Sequence, residues 1–153
     1  MEILPESYFE DTVRNEVRRA VRYSYPFAVV SVHLATPDLT ESVMLPVARV
    51  LGSVIRDSDV VGRLKGPRLG VILPYADAGA ARSISDRIRE TLISDADLAP
   101  WGPGLRRATL RATVFPSTTG DADAIFRWLG SPENSEGEDD DEGPGPAPVG
   151  ARI

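Results

Sequence analysis

Apolar positions recur along this chain with two different spacings, and segments of the two kinds alternate. Four segments show the three-to-four-residue spacing of an amphipathic helix, over 6–24, 41–56, 78–93 and 121–129. Four shorter apolar runs, crowded or alternating as in strands, lie over 27–34, 59–64, 69–74 and 107–115. The order α-β-α-β-β-α-β-α predicts one α+β domain, a mostly antiparallel, ferredoxin-like sheet flanked by helices.

Glycine and proline mark the connections between these segments. Lys-Gly-Pro-Arg at 65–68 separates two apolar runs and predicts the four-residue turn of a β-hairpin. A Pro/Gly-rich stretch at 100–104 predicts a loop. Asp121 is expected to cap the last helix, because its carboxylate can accept a hydrogen bond from an unpaired amide of the first turn.

The composition changes sharply at residue 131. Residues 131–153 lack aromatic residues, and they hold seven acidic residues and one basic residue. Such a segment cannot bury enough apolar surface to offset the entropy of ordering, so we predict a disordered acidic tail after a domain at 1–130. Residues 1–130 carry 16 acidic and 16 basic residues. This balance argues against a dedicated nucleic-acid binder, which needs a surplus of positive charge.

Several kinds of site are excluded by residue counts. The chain has no cysteine, so disulfides and thiolate chemistry are absent, and its single histidine, His33, excludes His-rich metal sites. No apolar run is long enough to cross a bilayer, and no signal segment is recognisable at the start. We therefore expect a cytoplasmic protein with no membrane contact.

One continuous stretch carries more specific information. Residues 56–74 read RDSDVVGRLKGPRLGVILP: an R-x-x-D, a short strand, an arginine, a turn, and a strand that ends in Leu-Pro. This order resembles the signature of diguanylate cyclase (GGDEF) domains. Residues 15–26 are also similar to that family's first helix, which runs into an RY-x-x-P before the first strand. The resemblance covers roughly residues 8–129 and implies a GGDEF-type fold.

The resemblance also implies that the catalytic residues have been lost. The family's metal-binding acids, which hold two divalent cations, correspond here to His33, Pro67 and Arg68. The family's guanine-reading segment is shortened to a turn at 35–41, and its phosphate-binding Lys and Arg near the C-terminus have no counterpart. The expectation is a pseudo-enzyme without metal or cofactor, in which His33 is a hydrogen-bonded strand-end residue.

The family's inhibitory site, by contrast, has counterparts here. It consists of the R-x-x-D and an arginine on the following helix, which correspond to Arg56, Asp59 and Arg87. Arginine can donate twice to guanine or phosphate oxygens, and aspartate can accept from the guanine N1 and N2 hydrogens. The resemblance thus implies binding of cyclic di-GMP, with a ligand-linked homodimer and a protein partner as the means of signalling.

Two other interpretations stay open. Arg56 and Asp59 are also explained as a local surface pair, with Arg56 favouring the end of a helix dipole. Alternatively, the whole domain is a protein-interaction module whose function does not depend on a nucleotide. Trp101 and Trp128 are expected to be packing residues and are placed in no site.

Overall fold

The structure, a computed structural model, describes residues 3–34 and 41–130. The predicted acidic tail at 131–153 and most of the predicted short turn at 35–41 lie outside the described residues. The strands are β1 (Ile3–Leu4), β2 (Phe27–His33), β3 (Val60–Leu64), β4 (Arg68–Pro74) and β5 (Thr109–Phe115). The helices are α1 (Glu6–Tyr23), α2 (Met44–Leu51), α3 (Ala78–Ser94), α4 (Gly102–Leu105) and α5 (Ala122–Leu129). Within the described ranges, no helix combines the length and apolarity that crossing a membrane would require.

The five strands form one sheet in the order β1-β3-β4-β2-β5. All neighbours are antiparallel except β1, which pairs with β3 in parallel. The four strands β3-β4-β2-β5 with their crossover helices have the ferredoxin-like arrangement, as predicted. The two-residue strand β1 was not predicted, because two residues are too few to show a periodic pattern.

Each face of the sheet is covered by a separate pair of helices. Alternate side chains of β2 lie on opposite faces of the sheet. Val29 packs towards α1 and α5, whereas Val30 packs towards α2 and α3. The α1/α5 side includes Phe9, Val13, Ala20, Ile125 and Leu129, and the α2/α3 side includes Val47, Ala48, Leu51, Ala81, Ile88 and Leu92. Trp101 and Trp128 pack against these clusters from their margins, which confirms their expected packing role.

A close contact fixes α1 on the sheet. Gly62 of β3 pairs with Gly70 of β4, and the buried ring of Phe9 lies over both. A Cβ atom on Gly62 would lie 2.4 Å from Phe9 Cδ1, and one on Gly70 would lie 2.6 Å from Phe9 Cζ. The two glycines therefore provide the space in which this ring packs.

Two connections differ from the sequence-based predictions. The hairpin turn has three residues, because Arg68 is already in β4 and pairs with Leu64, while Gly66 takes the left-handed conformation with φ of 71°. The predicted loop at 100–104 is helical: a 3₁₀ helix, Ala96–Trp101, runs into α4. Pro103 is compatible with this start, since an amide is not needed in the first helical turn.

Candidate functional site

Arg56 lies in the connection between α2 and β3. The predicted helix 41–56 is wrong at its end, since α2 stops at Leu51 and turns follow. Gly52 is a poor helix former, and the Ser53 hydroxyl donates to the carbonyl of Val50 at 2.7 Å, which favours a turn over a continued helix. Arg56 is thus five residues beyond the helix, and a helix-dipole contact does not explain its position.

Asp59 holds Arg56 in place. Its side chain is fully buried, and Oδ2 accepts from the Arg56 amide at 2.7 Å while Oδ1 accepts from Arg56 Nη2 at 3.0 Å. A longer contact of 3.4 Å joins Arg56 Nε to Oδ2. Because both oxygens face Arg56, Asp59 presents no exposed edge to a guanine, unlike the sequence-based expectation. Its role in this arrangement is to position the arginine.

The Arg56 guanidinium also reaches the end of the β3–β4 hairpin. Nη2 donates to the carbonyl of Pro74, the last residue of β4, at 2.8 Å. The inward contacts use Nε and Nη2, so Nη1 is left for an acceptor outside the domain. The side chain is 55% exposed. The guanidinium is therefore fixed on its protein side by Asp59 and Pro74, while its other side faces solvent.

Arg87 lies on the exposed surface of α3 beside the buried Ile88. Arg89 lies on the side of α3 that faces β5, because its Nη1 contacts the carbonyl of Ala108, just before β5, at 3.5 Å. Two residues correspond to about 200° around a helix, so Arg87 points to the opposite flank, where α2 packs. Arg87 is nine residues after Ala78, about 14 Å along the axis. Arg56 thus lies at the Pro74 end of the sheet, and Arg87 lies midway along α3, with no hydrogen bond between them among the described residues.

A pair of stacked tyrosines lies at the same end of the sheet as Arg56. Tyr75 directly follows Pro74, and its ring stacks on that of Tyr25 with centroids 3.9 Å apart. The Tyr25 hydroxyl donates to Oε2 of the buried Glu16 at 2.6 Å. Burial, followed by this carboxylate, raises the pKa of Tyr25 to about 12. The sequence did not single out either tyrosine, because their stacking depends on a turn and a helix end that meet only in the fold.

The positions that the sequence resemblance assigns to the family's metal ligands lie at the other end of the same strands. His33 pairs with Arg68 and Phe27 with Pro74, which places the two ends about 20 Å apart. Nδ1 of His33 is buried and finds no hydrogen-bond partner in the described part of the chain, so the expected hydrogen bond is not seen at this atom. Burial, with the charges of Arg68 and Arg111, lowers the pKa of His33.

Two arginines lie beside His33 at this end of the sheet. Arg68 Nη1 donates to the carbonyl of Leu129, and Arg111 Nη2 donates to that of Trp128 at 3.0 Å. Arg111 also lies over the Trp128 ring, 4.4 Å from its centroid. Both guanidinia thus satisfy carbonyls at the C-terminus of α5. A histidine, a proline and two such arginines do not fit a divalent cation, which prefers several oxygen ligands. Within the described ranges, no three His, Asp or Glu residues cluster in a way that suits a metal ion.

Comparison with protein families gives a match over part of the chain. Residues 37–100 match the family model described as diguanylate cyclase, GGDEF domain. This segment includes Arg56, Asp59 and Arg87. No curated protein matches the chain significantly by sequence.

Solved structures of GGDEF domains resemble the whole described chain. The GGDEF domain of YfiN from Pseudomonas aeruginosa superposes with a TM-score of 0.68 and 21% identity, over 82% of this chain and 84% of that one. The GGDEF domain of DgcB from Caulobacter crescentus, solved in complex with cyclic di-GMP, gives 0.64 and 12% identity, over 89% and 84%. A microbial GGDEF domain described in a novel interaction with cyclic di-GMP gives 0.60 and 15% identity, over 82% and 80%. By its fold the chain therefore resembles GGDEF domains, and the family's model matches its residues 37–100.

Proposed function

We propose that this domain is a receptor for cyclic di-GMP, which it binds through Arg56 and Arg87 with Asp59 as the positioning residue. The observation that carries the proposal is the Arg56 guanidinium, fixed by Asp59 and Pro74 and half exposed. A guanidinium fixed before binding loses little entropy when it engages a ligand. Its Nη1 group and its flat face suit a phosphate oxygen or a guanine. Two GGDEF domains of similar fold are described with this dinucleotide.

Binding is proposed to act through a change in assembly or docking. A cyclic dinucleotide between Arg56 and Arg87 leaves outward-facing purine and phosphate groups, which a second copy of the domain or a protein partner can contact. A ligand that binds the associated state better than the isolated one shifts the population towards association. The receptor needs no metal or cofactor of its own.

The central test is isothermal titration of the protein with cyclic di-GMP. Arg56→Ala and Arg87→Ala are each expected to weaken binding roughly 10- to 100-fold, since each removes charge-assisted hydrogen bonds of about 1.5–3 kcal/mol. Arg106→Ala and Arg89→Ala are the matched controls, because Arg106 is exposed elsewhere and Arg89 lies on the other flank of α3. Both controls should bind like the unaltered protein.

The outcomes of this titration separate the two candidate functions. Binding that is lost only with Arg56 or Arg87 supports the receptor, and two ligands per chain would indicate a stacked dinucleotide dimer. Absence of heat up to several hundred micromolar would reject the receptor and favour the nucleotide-independent interaction module. Light scattering with and without the ligand then measures whether binding changes the oligomeric state.

We further propose that the domain does not synthesise cyclic di-GMP. Arg68→Glu, which returns an acid to the hairpin turn, is expected to yield no product from GTP and Mg²⁺ and to lower the free energy of unfolding by about 1–2 kcal/mol. The reason for the loss is that a carboxylate beside the Leu129 carbonyl replaces a hydrogen bond with repulsion at a helix C-terminus. Nucleotide chromatography and urea denaturation measure the two effects, with the exposed Arg106→Glu as the control for charge. Product formed by the unaltered protein would overturn the proposal.

A further inference from the structure

Tyr75 has an unusual backbone for its residue type. Its φ of 65° lies in the left-handed region, where a non-glycine residue is uncommon and strained. Pro74 before it is fixed by the end of β4 and by the bond from Arg56 Nη2 to its carbonyl. The strained residue therefore directly follows the residue whose carbonyl accepts a hydrogen bond from the candidate binding arginine.

The conformation places the Tyr75 ring in a defined position without burying it. One face stacks on Tyr25 with an interplanar angle of 24°, and Tyr25 is buried and anchored through its hydroxyl to Glu16. Tyr75 nevertheless remains 63% exposed. A ring that is held on one face and open on the other offers a rigid surface to a second flat ring.

We propose that the open face of Tyr75 is a stacking surface for one guanine of the dinucleotide bound at Arg56. The inference rests on the proposed function and adds a source of affinity to it. Stacking of a base on an aromatic side chain adds affinity and requires no particular hydrogen-bond pattern. Arg56 Nη1, next to the same turn, then contacts a guanine or phosphate oxygen of the stacked nucleotide. The preformed Tyr25–Tyr75 pair means that the surface does not have to be ordered on binding.

The test compares variants of Tyr75 by titration with cyclic di-GMP. Tyr75→Gly removes the ring and suits a left-handed backbone, so it is expected to keep the fold and weaken binding about 5- to 100-fold. Tyr75→Phe keeps the ring and should bind like the unaltered protein. Tyr8→Ala removes an equally exposed tyrosine, 61% exposed on α1, and should have no effect. Circular dichroism of each variant checks the fold.

A second measurement reports the stacking itself. In tyrosine-labelled protein, the Tyr75 ring resonance is identified by its absence in Tyr75→Phe. Saturating ligand is expected to shift it upfield, because the ring current of a stacked base shields the protons beneath it. Binding that depends on Arg56 but is unchanged in Tyr75→Gly would overturn this inference alone. Absence of binding by the unaltered protein would overturn the proposed function and the inference together.

Discussion

Replacing Gly62 by alanine is expected to lower the free energy of unfolding by about 2–3 kcal/mol, as overpacking of a filled core does. The added methyl group would lie 2.4 Å from Cδ1 and 2.8 Å from Cβ and Cγ of Phe9. Phe9 cannot swing aside, since its ring is fully buried between α1 and the sheet and its Cβ is fixed to the helix backbone. Either α1 moves away from β3 or the strand bends, and both changes disturb the core.

Chemical denaturation of two further variants tests this explanation. Gly120→Ala is the matched control, because no atom lies within 4 Å of a Cβ built on Gly120. It should leave the free energy of unfolding nearly unchanged. The double variant Phe9→Leu with Gly62→Ala should lose less than the sum of the two single changes, since the smaller side chain relieves the overlap. Additive losses would show that the methyl group and the ring do not compete for the same space.

Asp59→Ala is expected to weaken cyclic di-GMP binding by no more than Arg56→Ala, roughly 10- to 100-fold, and also to destabilise the domain by about 1.5–3 kcal/mol. The binding loss follows because Asp59 accepts from both the backbone and the guanidinium of Arg56. The stability loss follows because the Arg56 amide loses its acceptor in a partly buried turn. Isothermal titration and urea denaturation measure the two effects, with the exposed neighbour Asp57→Ala as the control.

A positioning role for Asp59 can be tested by nuclear magnetic resonance without adding ligand. In the ligand-free protein, the Nε–H resonance of Arg56 should shift and broaden in Asp59→Ala, as the guanidinium loses its fixed orientation. Asp57→Ala should leave that resonance in place. If Asp59→Ala weakens binding while the Arg56 resonance is unchanged, Asp59 contacts the ligand directly and the positioning role is wrong.

Most of the fold could be predicted because the chain's periodic patterns are local. The short apolar run at 27–34, rich in β-branched residues, and the helical spacing of 78–93 depend only on neighbouring residues, and both elements form within one residue of the predicted bounds. Asp121 caps α5 as predicted, accepting from the Ala124 amide at 2.7 Å. The predicted helix 41–56 failed at its end because apolar spacing continues past Leu51, whereas the turn is decided by Gly52 and Ser53.

The candidate site was predictable only in part. The spacing of Arg56 and Asp59 and the later Arg87 predicts which residues form the site, since the motif is linear, and their role in binding stays a prediction. The sequence alone did not indicate that the Asp59 carboxylate is buried behind Arg56, because the burial depends on how the turn packs. Nor did it indicate that Arg87, and not Arg89, faces α2, which follows from the position of β5.

The sequence by itself determined the order of the main helices and strands, the position of the hairpin and the linear motif, because all of these arise from local periodicity and local residue chemistry. Only the tertiary structure brought Pro74 to Arg56, stacked Tyr75 on Tyr25 and placed Phe9 over Gly62. Each of these contacts joins residues that are distant in the chain, and strand pairing and helix docking decide which of them meet. The motif identified a candidate ligand, and the fold determined which atoms can reach it.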